Sequence, residues 1–469
     1  MEENMNEEAL TADGQKDDDI DYVEDREELT EERIKDMLDA REYKELKEEL
    51  ETNMYPVDLA EILEEFDQKH MVLVFRLLAK EEAAETFSYM NSDMREDLIN
   101  ALTDSELEEI MEEMYLDDTV DVLEEMPANV VDRLLMVTDA EKRQQINQLL
   151  QYPEDSAGSV MNVDYIALRR EMTVADSILK IRQVGLNRET IYTCYVTEQR
   201  HLIGQVDIKE LLTSSESKTV EEIMDTNMLY ARTTDDQEDV ANIITKYGLI
   251  ALPIVDHENC MVGIVTVDDA MQVLQDETTE DISIMAGVNP NEDSYFGTSI
   301  FEHVKSRIPW LLFLMLSATV TQMIMNSYEN ALALMPQLAG FVPMLTGTGG
   351  NCGSQSSTLV IRGLAVGEIE FSDLFKVIWK EIRISIILSV VNGIRIMLMG
   401  QGDAMMAFTI GLTMACTVLI AKVVGCTLPL IAKKIGLDPA IMATPLISTL
   451  VDISTISVYF AIVSYVFHL

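Results

Sequence analysis

Asp452 stands inside the last long apolar stretch of the chain, with Ser448 four residues before it and Thr444 four before that. Spacing of four places the three on one slowly drifting helix face. A carboxylate at such depth in a bilayer is costly and is kept where it faces a cation or a partner base. Asp438, just before Pro439, has the pattern of an N-cap followed by proline at the first helical position. At the mouth of the same helix its charge would also attract cations. Two bases, Lys422 and Arg395, lie in apolar stretches, and either would neutralise Asp452 or extend to the interface.

A second candidate runs from Gly347 to Thr358, Gly-rich and polar inside an apolar run and preceded by Pro343. Two arrangements explain it. A helix broken beside a cavity would offer backbone carbonyls to a hydrated cation. Small residues would instead let helices approach closely. The Asn/Gln/Ser cluster favours the first, with Gly349, Gly350 and Asn351 lining the path, while some glycines suit the second. A phosphate loop is excluded, since no Gly-Lys-Ser/Thr ending follows.

These residues sit on five apolar stretches, each long enough for a core of roughly 30 Å: Arg307–Ser327, Ala331–Val360, Val377–Gly400, Ala404–Ala432 and Pro439–His468. Lys305 and Arg307 precede the first; Arg362, Lys376, Lys380 and Arg383 lie between the second and third; Lys433 and Lys434 precede the fifth. The other loops, Ser327–Asn330 and Gln401–Asp403, carry no Lys or Arg. The positive-inside rule then puts the soluble part in the cytosol and the C-terminus outside. An acidic N-terminus without an apolar h-region predicts no signal peptide.

The net charge of −49 is unevenly placed. From Phe301 onward there are 9 acids and 10 bases, leaving 74 of the 83 acids and 24 of the 34 bases in the first 300 residues. Such an acidic body argues against nucleic acid and concentrates cations around itself. The five cysteines are scattered and form no C-x-x-C pair, so neither a disulfide framework nor a zinc site is expected. No nucleophile–base pair appears, so no enzyme is expected.

The soluble part divides by composition. Residues 1–25 are too acidic and too poor in apolar groups to fold, and disorder is expected. Residues 26–152 are rich in Leu, Met, Glu, Ala and Lys, with apolar residues at helical spacing (Leu59, Ile62, Leu63, Phe66; Val130, Val131, Leu134, Leu135). Breakers at hairpin intervals, with Asp93 and Asp104 as N-caps, predict an all-α helical solenoid. Residues 153–277 hold a repeat of period near 60: Met161 recurs as Met224 and Gly204 as Gly263, giving a duplicated α+β module. Residues 278–305 connect to the five-helix transmembrane domain, 306–469.

The repeat resembles a pair of CBS domains, which are ligand-sensing units. In its second copy Thr266-Val267-Asp268-Asp269 is similar to the Thr-x-x-Asp that holds adenosine nucleotides in some members. The first copy has Asp207 and Glu210 there. Thr266 and Glu210 are therefore the candidate ATP contacts, and a pair without nucleotide is the equal alternative. Taken whole, on the Pro343–Gln355 motif, the Asp438-Pro439-Ala440 to Asp452 run and the Tyr152-Pro153-Glu154-Asp155 junction, the chain resembles the MgtE family of magnesium transporters. The resemblance implies a homodimer in a bacterial inner membrane, with a pore between the two fifth spans. It implies Asp452 as the selectivity carboxylate for Mg²⁺, with Thr444 and Ser448 lining the pore. It also implies regulatory cation sites at Asp117, Asp121, Asp236, Glu238, Asp269, Glu277, Glu280 and Asp281. Gly248 and Gln272 stand where relatives can carry Asp. Rival functions are transport of Co²⁺, Ni²⁺ or Mn²⁺, which the lack of His or Cys beside Asp452 disfavours, and a membrane-anchored CBS sensor.

Overall fold

A computed structural model of the chain describes residues 29–290, 295, 298–398, 404–442 and 444–468. The expected acidic tail, residues 1–25, and the loop Gln401–Asp403 lie outside them. The chain divides into two compact units, one within Met1–Met114 and Asp121–Arg143, the other within Tyr115–Val120 and Gln144–Leu469.

From Glu31 to Leu149 the described residues form short helices: α1 (Glu31–Ala40), α2 (Tyr43–Asn53), α3 (Pro56–Leu63), α4 (Gln68–Phe75), α5 (Lys80–Tyr89), α6 (Ser92–Ala101), α7 (Asp104–Glu113), α8 (Leu116–Glu125), α9 (Ala128–Val137) and α10 (Ala140–Leu149). In the first unit α3 packs on α5, α5 on α7 and α7 on α9, while α4 packs on α6. Leu59, Leu63, Val130 and Leu134 are buried, as the helical spacing predicts. The caps fall one or two residues earlier than expected. Asn91, not Asp93, accepts from Met94 N at 3.0 Å. Thr103, not Asp104, forms a capping box with Glu106. Both aspartates instead lie in the first turn, where their charge suits the helix dipole.

The repeat is two copies of one sheet. β1 (Ala167–Leu168), β2 (Thr193–Glu198) and β3 (His201–Asp207) form the first; β4 (Ala231–Arg232), β5 (Ala251–Val255) and β6 (Met261–Thr266) form the second. In each, the middle strand pairs parallel to the first and antiparallel to the third. Helices α11 (Val174–Val184), α12 (Ile208–Thr213) and α13 (Val220–Ile223) follow the first copy's strands, and α14 (Gln237–Tyr247) lies in the second.

The repeated Met and Gly residues meet across the copies. Asn162 and Ile264 exchange both backbone hydrogen bonds at 2.8 Å, and Gln205 and Asp225 do the same at 2.9 Å. A Cβ on Gly263 would lie 2.9 Å from Met161 Sδ, and one on Gly204 would lie 3.0 Å from Met224 Sδ. Glycine recurs because each copy's third strand runs beneath the other copy's methionine. Gly248 ends α14 with φ +62°, a left-handed cap that glycine adopts without cost.

One helix, α15 (Val267–Ala286), leaves the second copy and ends at Gly287 with φ +73°. Beyond it lie α16 (Ile300–Ser327), α17 (Glu329–Leu334), α18 (Val342–Ala365), α19 (Leu374–Leu398), α20 (Ala404–Lys434) and α21 (Thr444–Phe467). By length and apolarity, three segments among the described residues suit a membrane crossing: Ile300–Ser327, Ala404–Lys434 and Pro439–Phe467. α18 and α19 have 24 and 25 residues, also enough to cross by length. Their polar content is higher, from the Gly347–Thr358 cluster and from Lys376, Lys380, Glu381 and Arg383. α18, α20 and α21 pack together, α19 lies on α20, and α16 lies on α21.

The expected second span, Ala331–Val360, is corrected in two respects. The chain does break, at a 3-10 turn over Pro336–Phe341, ahead of the Gly-rich motif. The motif itself is continuous α-helix. Pro336 removes a backbone donor at the break, whereas tight packing inside the bundle holds the glycines helical.

Candidate ion path and acidic clusters

α18 is sorted into two faces. Asn351, Ser354, Gln355 and Thr358 recur at helical spacing and line one cavity of about 950 Å³. The opposite face is made of close contacts. A Cβ on Gly349 would lie 2.7 Å from Thr417 Cγ2 and 2.8 Å from Val451 Cγ1, and one on Gly353 would lie 2.6 Å from Ile447 Cγ2. Gly425 of α20 faces the backbone of Gly353 at still closer range. The packing reading therefore holds on one face; on the other, polar side chains line a cavity, but without the broken helix and freed carbonyls the first reading required. Gly350 lines the cavity beside Ser448, while Gly349 serves the packing of α18 on α20 and α21.

The same cavity is lined by Ser448 and Asp452 from α21. Asp452 is half-buried. Thr444 opens α21, and its side chain lies outside the described part. Two cross-links fix the position of α21. Tyr459 Oη donates to Leu338 O at 3.0 Å, and Tyr328 stacks on Phe460 with ring centroids 4.6 Å apart. Ser357 Oγ donates to Met442 O at 2.9 Å, tying α18 to the 3-10 turn Pro439–Met442.

The two bases in the apolar stretches behave differently from each other. Arg395 is exposed on α19. Lys422 is 4 % exposed and pairs with Glu381 of α19 at 3.5 Å, whose Oε2 also accepts from Ser356 Oγ at 2.7 Å. Glu381 is itself 7 % exposed and lines the cavity with Lys422. Sequence reasoning passed over Glu381. The available signal was its sign, one acid among Lys376, Lys380 and Arg383.

Apart from Asp121, the acidic candidates gather in two places, the second reaching Asp438 at the start of the last apolar stretch. In the first, Asn162 is fully buried and its Nδ2 donates to Asp117 Oδ2 at 3.0 Å and to Glu189 Oε2 at 2.9 Å. Burial, then Asp269 and Asp118, push the Asp117 carboxyl well above its usual range. Its Oδ1 is buried with no hydrogen-bond partner among the described residues. Burial and Asp269 raise Glu189 to about 7. Burial also raises Asp269, against its hydrogen bond from Thr266. Asp121 lies one turn further along α8 and is exposed.

In the second, Glu277, Glu280 and Asp281 of α15 feel Asp438. Burial, then Asp438 and Glu277, push Asp281 to about 6. Burial, then Glu277, Asp281 and Asp236, push Glu238 to about 7, with Lys433 pulling the other way. Gln237 Nε2 donates to Glu277 at 2.9 Å and to Asp155 at 3.3 Å. Asp438 does cap its turn, accepting from Ala440 N at 2.7 Å. Among the described residues no three His, Cys, Asp or Glu side chains converge closely enough to hold one metal ion directly.

The nucleotide candidates are placed apart from one another's roles. Thr266 is buried, and its hydroxyl donates to Asp269 Oδ2 at 2.6 Å as half of the capping box that starts α15. Glu210 is exposed on α12 and accepts from Ser214 Oγ at 3.2 Å.

Comparison with known proteins agrees with this layout. The family model for MgtE divalent cation transporters matches residues 342–462, that for the MgtE intracellular N domain matches 54–155, and that for the CBS domain matches 220–276. The chain is 34% identical to the magnesium transporter MgtE of Thermus thermophilus, over 90% of this chain and 95% of that one. It is 31% identical to the magnesium transporter MgtE of Bacillus subtilis, over 88% and 92%. It is also similar to a crystal structure of the cytosolic domain of the Mg²⁺ channel MgtE in complex with ATP. That match has 34% identity and a TM-score of 0.50, and covers 52% of this chain and 99% of that one. With its N-domain helices, paired sheets and helical membrane part all accounted for, the chain belongs to the MgtE family of divalent cation transporters.

Proposed function

We propose that this chain carries Mg²⁺ across the bacterial inner membrane through the cavity lined by Asp452, as a homodimer gated by its cytosolic acidic clusters. MgtE family members are ion transporters, and the chain is not an enzyme. One observation carries the proposal: a single cavity joins Asp452 and Ser448 to Asn351, Ser354 and Gln355. Mg²⁺ is strictly octahedral and dehydrates reluctantly. Amide and hydroxyl groups around one carboxylate suit a cation recognised through its water shell. A twofold axis beside α21 would bring two Asp452 carboxylates to one path. Transport of another divalent ion is the alternative, and the oxygen-rich lining disfavours soft metals. A pure sensor would leave the cavity and Asp452 without a use.

In this reading the membrane domain crosses five times, with α16, α18, α19, α20 and α21 as the spans, the N-terminus cytosolic and the C-terminus outside. The N-domain helices would stack as a solenoid. Asp117, Glu189 and Asp269 form one sensing surface, and Asp236, Glu238, Glu277, Glu280, Asp281 and Asp438 another. Desolvated, mutually repelling carboxylates are groups whose charge a divalent cation would compensate. Lacking three converging ligands, these surfaces would hold Mg²⁺ partly through its own water. Low cytosolic Mg²⁺ would leave the repulsion uncompensated and favour an open arrangement, by linkage. A relative's cytosolic domain was crystallised with ATP, so nucleotide binding belongs to this reading too, with Thr266 and Glu210 as residues to vary.

The test is Mg²⁺ flux into liposomes by Asp452→Asn protein that elutes at the parent's size. A loss of ~10-fold or more is expected; parent-like flux overturns the assignment. Co²⁺, Ni²⁺ and Mn²⁺ as competitors decide between divalent ions.

A further inference from the structure

The pair Glu381–Lys422 is buried yet lines the cavity. It joins α19 to α20, and through Ser356 also to α18. Stability alone is a weak reason to keep it, because apolar residues of similar volume often replace a buried ion pair at no loss. Its place on the cavity wall gives it another. Asp452 and Glu381 would together present two negative charges to a passing cation, and the ammonium of Lys422 cancels one.

We propose that Glu381 and Lys422 are a built-in counter-ion pair that sets the charge of the cation path. Lys422 keeps Glu381 from acting as a second cation-binding carboxylate alongside Asp452. The ligand is the permeating divalent cation, so the inference rests on the reading of this cavity as its route. A path with one net negative charge per chain attracts a divalent ion without trapping it, which fast passage requires. The two single substitutions should then act in opposite ways. Lys422→Met unmasks a carboxylate and tightens binding, while Glu381→Gln leaves an unpaired ammonium that repels cations.

The experiment is Mg²⁺ flux into liposomes by the full-length protein as a function of Mg²⁺ concentration. Lys422→Met should lower the half-saturating concentration by ~10-fold, and Glu381→Gln should cut flux by ~10-fold. The double variant Glu381→Gln/Lys422→Met should return half-saturation to within about threefold of the parent. A mere clamp between helices predicts lower melting temperatures with half-saturation unmoved. That result, or failure of the double variant to restore, overturns the proposal. If a single variant does not assemble, the charge-swapped Glu381→Lys/Lys422→Glu protein keeps the net charge. Half-saturation near the parent's supports the proposal there, and a tenfold change sinks it. Asp452→Asn in the same series separates the two ideas. Parent-like flux from it removes the route itself, whereas its loss of flux with an unmoved Lys422→Met removes only the counter-ion role.

Discussion

Asn162 donates its side-chain amide to Asp117 across 3.0 Å, and the same nitrogen reaches Glu189. One neutral donor thus holds two desolvated acids that otherwise repel. Asn162→Ala should remove ~1–3 kcal/mol of stability in Mg²⁺-free solution. Thermal unfolding of the detergent-solubilised protein measures it. Added Mg²⁺ should recover part of the loss, because a cation can take the amide's place between the acids.

Glu238 and Asp281 give a pH dependence with a definite sign. Their folded values, about 7 and about 6, lie above the ordinary 4.5 and 3.8. The folded protein therefore binds more protons than the unfolded one across that window. The associated stability is full below the ordinary values and is lost as pH rises through the folded ones. Without divalent cations, protease protection of α14 and α15 should fall from pH 5 to pH 7.5, and millimolar Mg²⁺ should flatten the profile. Asp438→Asn keeps the cap on Ala440 but removes a charge that raises Asp281, so its profile should shift to lower pH. An unshifted profile would detach Asp438 from the cluster.

The two faces of α18 predict opposite outcomes for one substitution. Gly353→Ala forces a methyl against Ile447, with a Cβ distance of 2.6 Å. It should destabilise by ~1–3 kcal/mol. Gly347→Ala, with no atom within 4 Å of the new Cβ, should be neutral or slightly stabilising. Melting temperatures in one detergent compare them directly.

Periodicity made much of this site legible. Asp452 and Ser448 share a face because they are four apart, and the cavity finds them together. The Met161/Met224 and Gly204/Gly263 repeat announced a duplicated module, although not that each glycine lies under the other copy's methionine. Glu381 stayed hidden because its partner is on another helix, and no spacing rule links residues that meet only through packing. Lys422 looked like a threat to Asp452 for the same reason, since its sequence neighbours give no sign of Glu381. The helix break was misplaced because glycine signals flexibility locally, whereas neighbours at 2.6–2.8 Å from a would-be Cβ hold Gly349 and Gly353 helical. The choice between Asn91 and Asp93, or Thr103 and Asp104, turned on one or two residues of register at a cap, where side-chain types alone do not decide.

α15 begins at the Thr266 capping box and ends at Gly287, whose would-be Cβ lies 3.2 Å from Pro445 Cγ and 3.6 Å from Trp310 Cγ. Its 20 residues make a rod of ~30 Å with few ways to bend. In the gating proposed above it would serve as a lever arm. A tilt of ~10° at Thr266 would move the far end by ~5 Å over that length. That is about a helical turn, delivered at the start of the helix that bears Asp452.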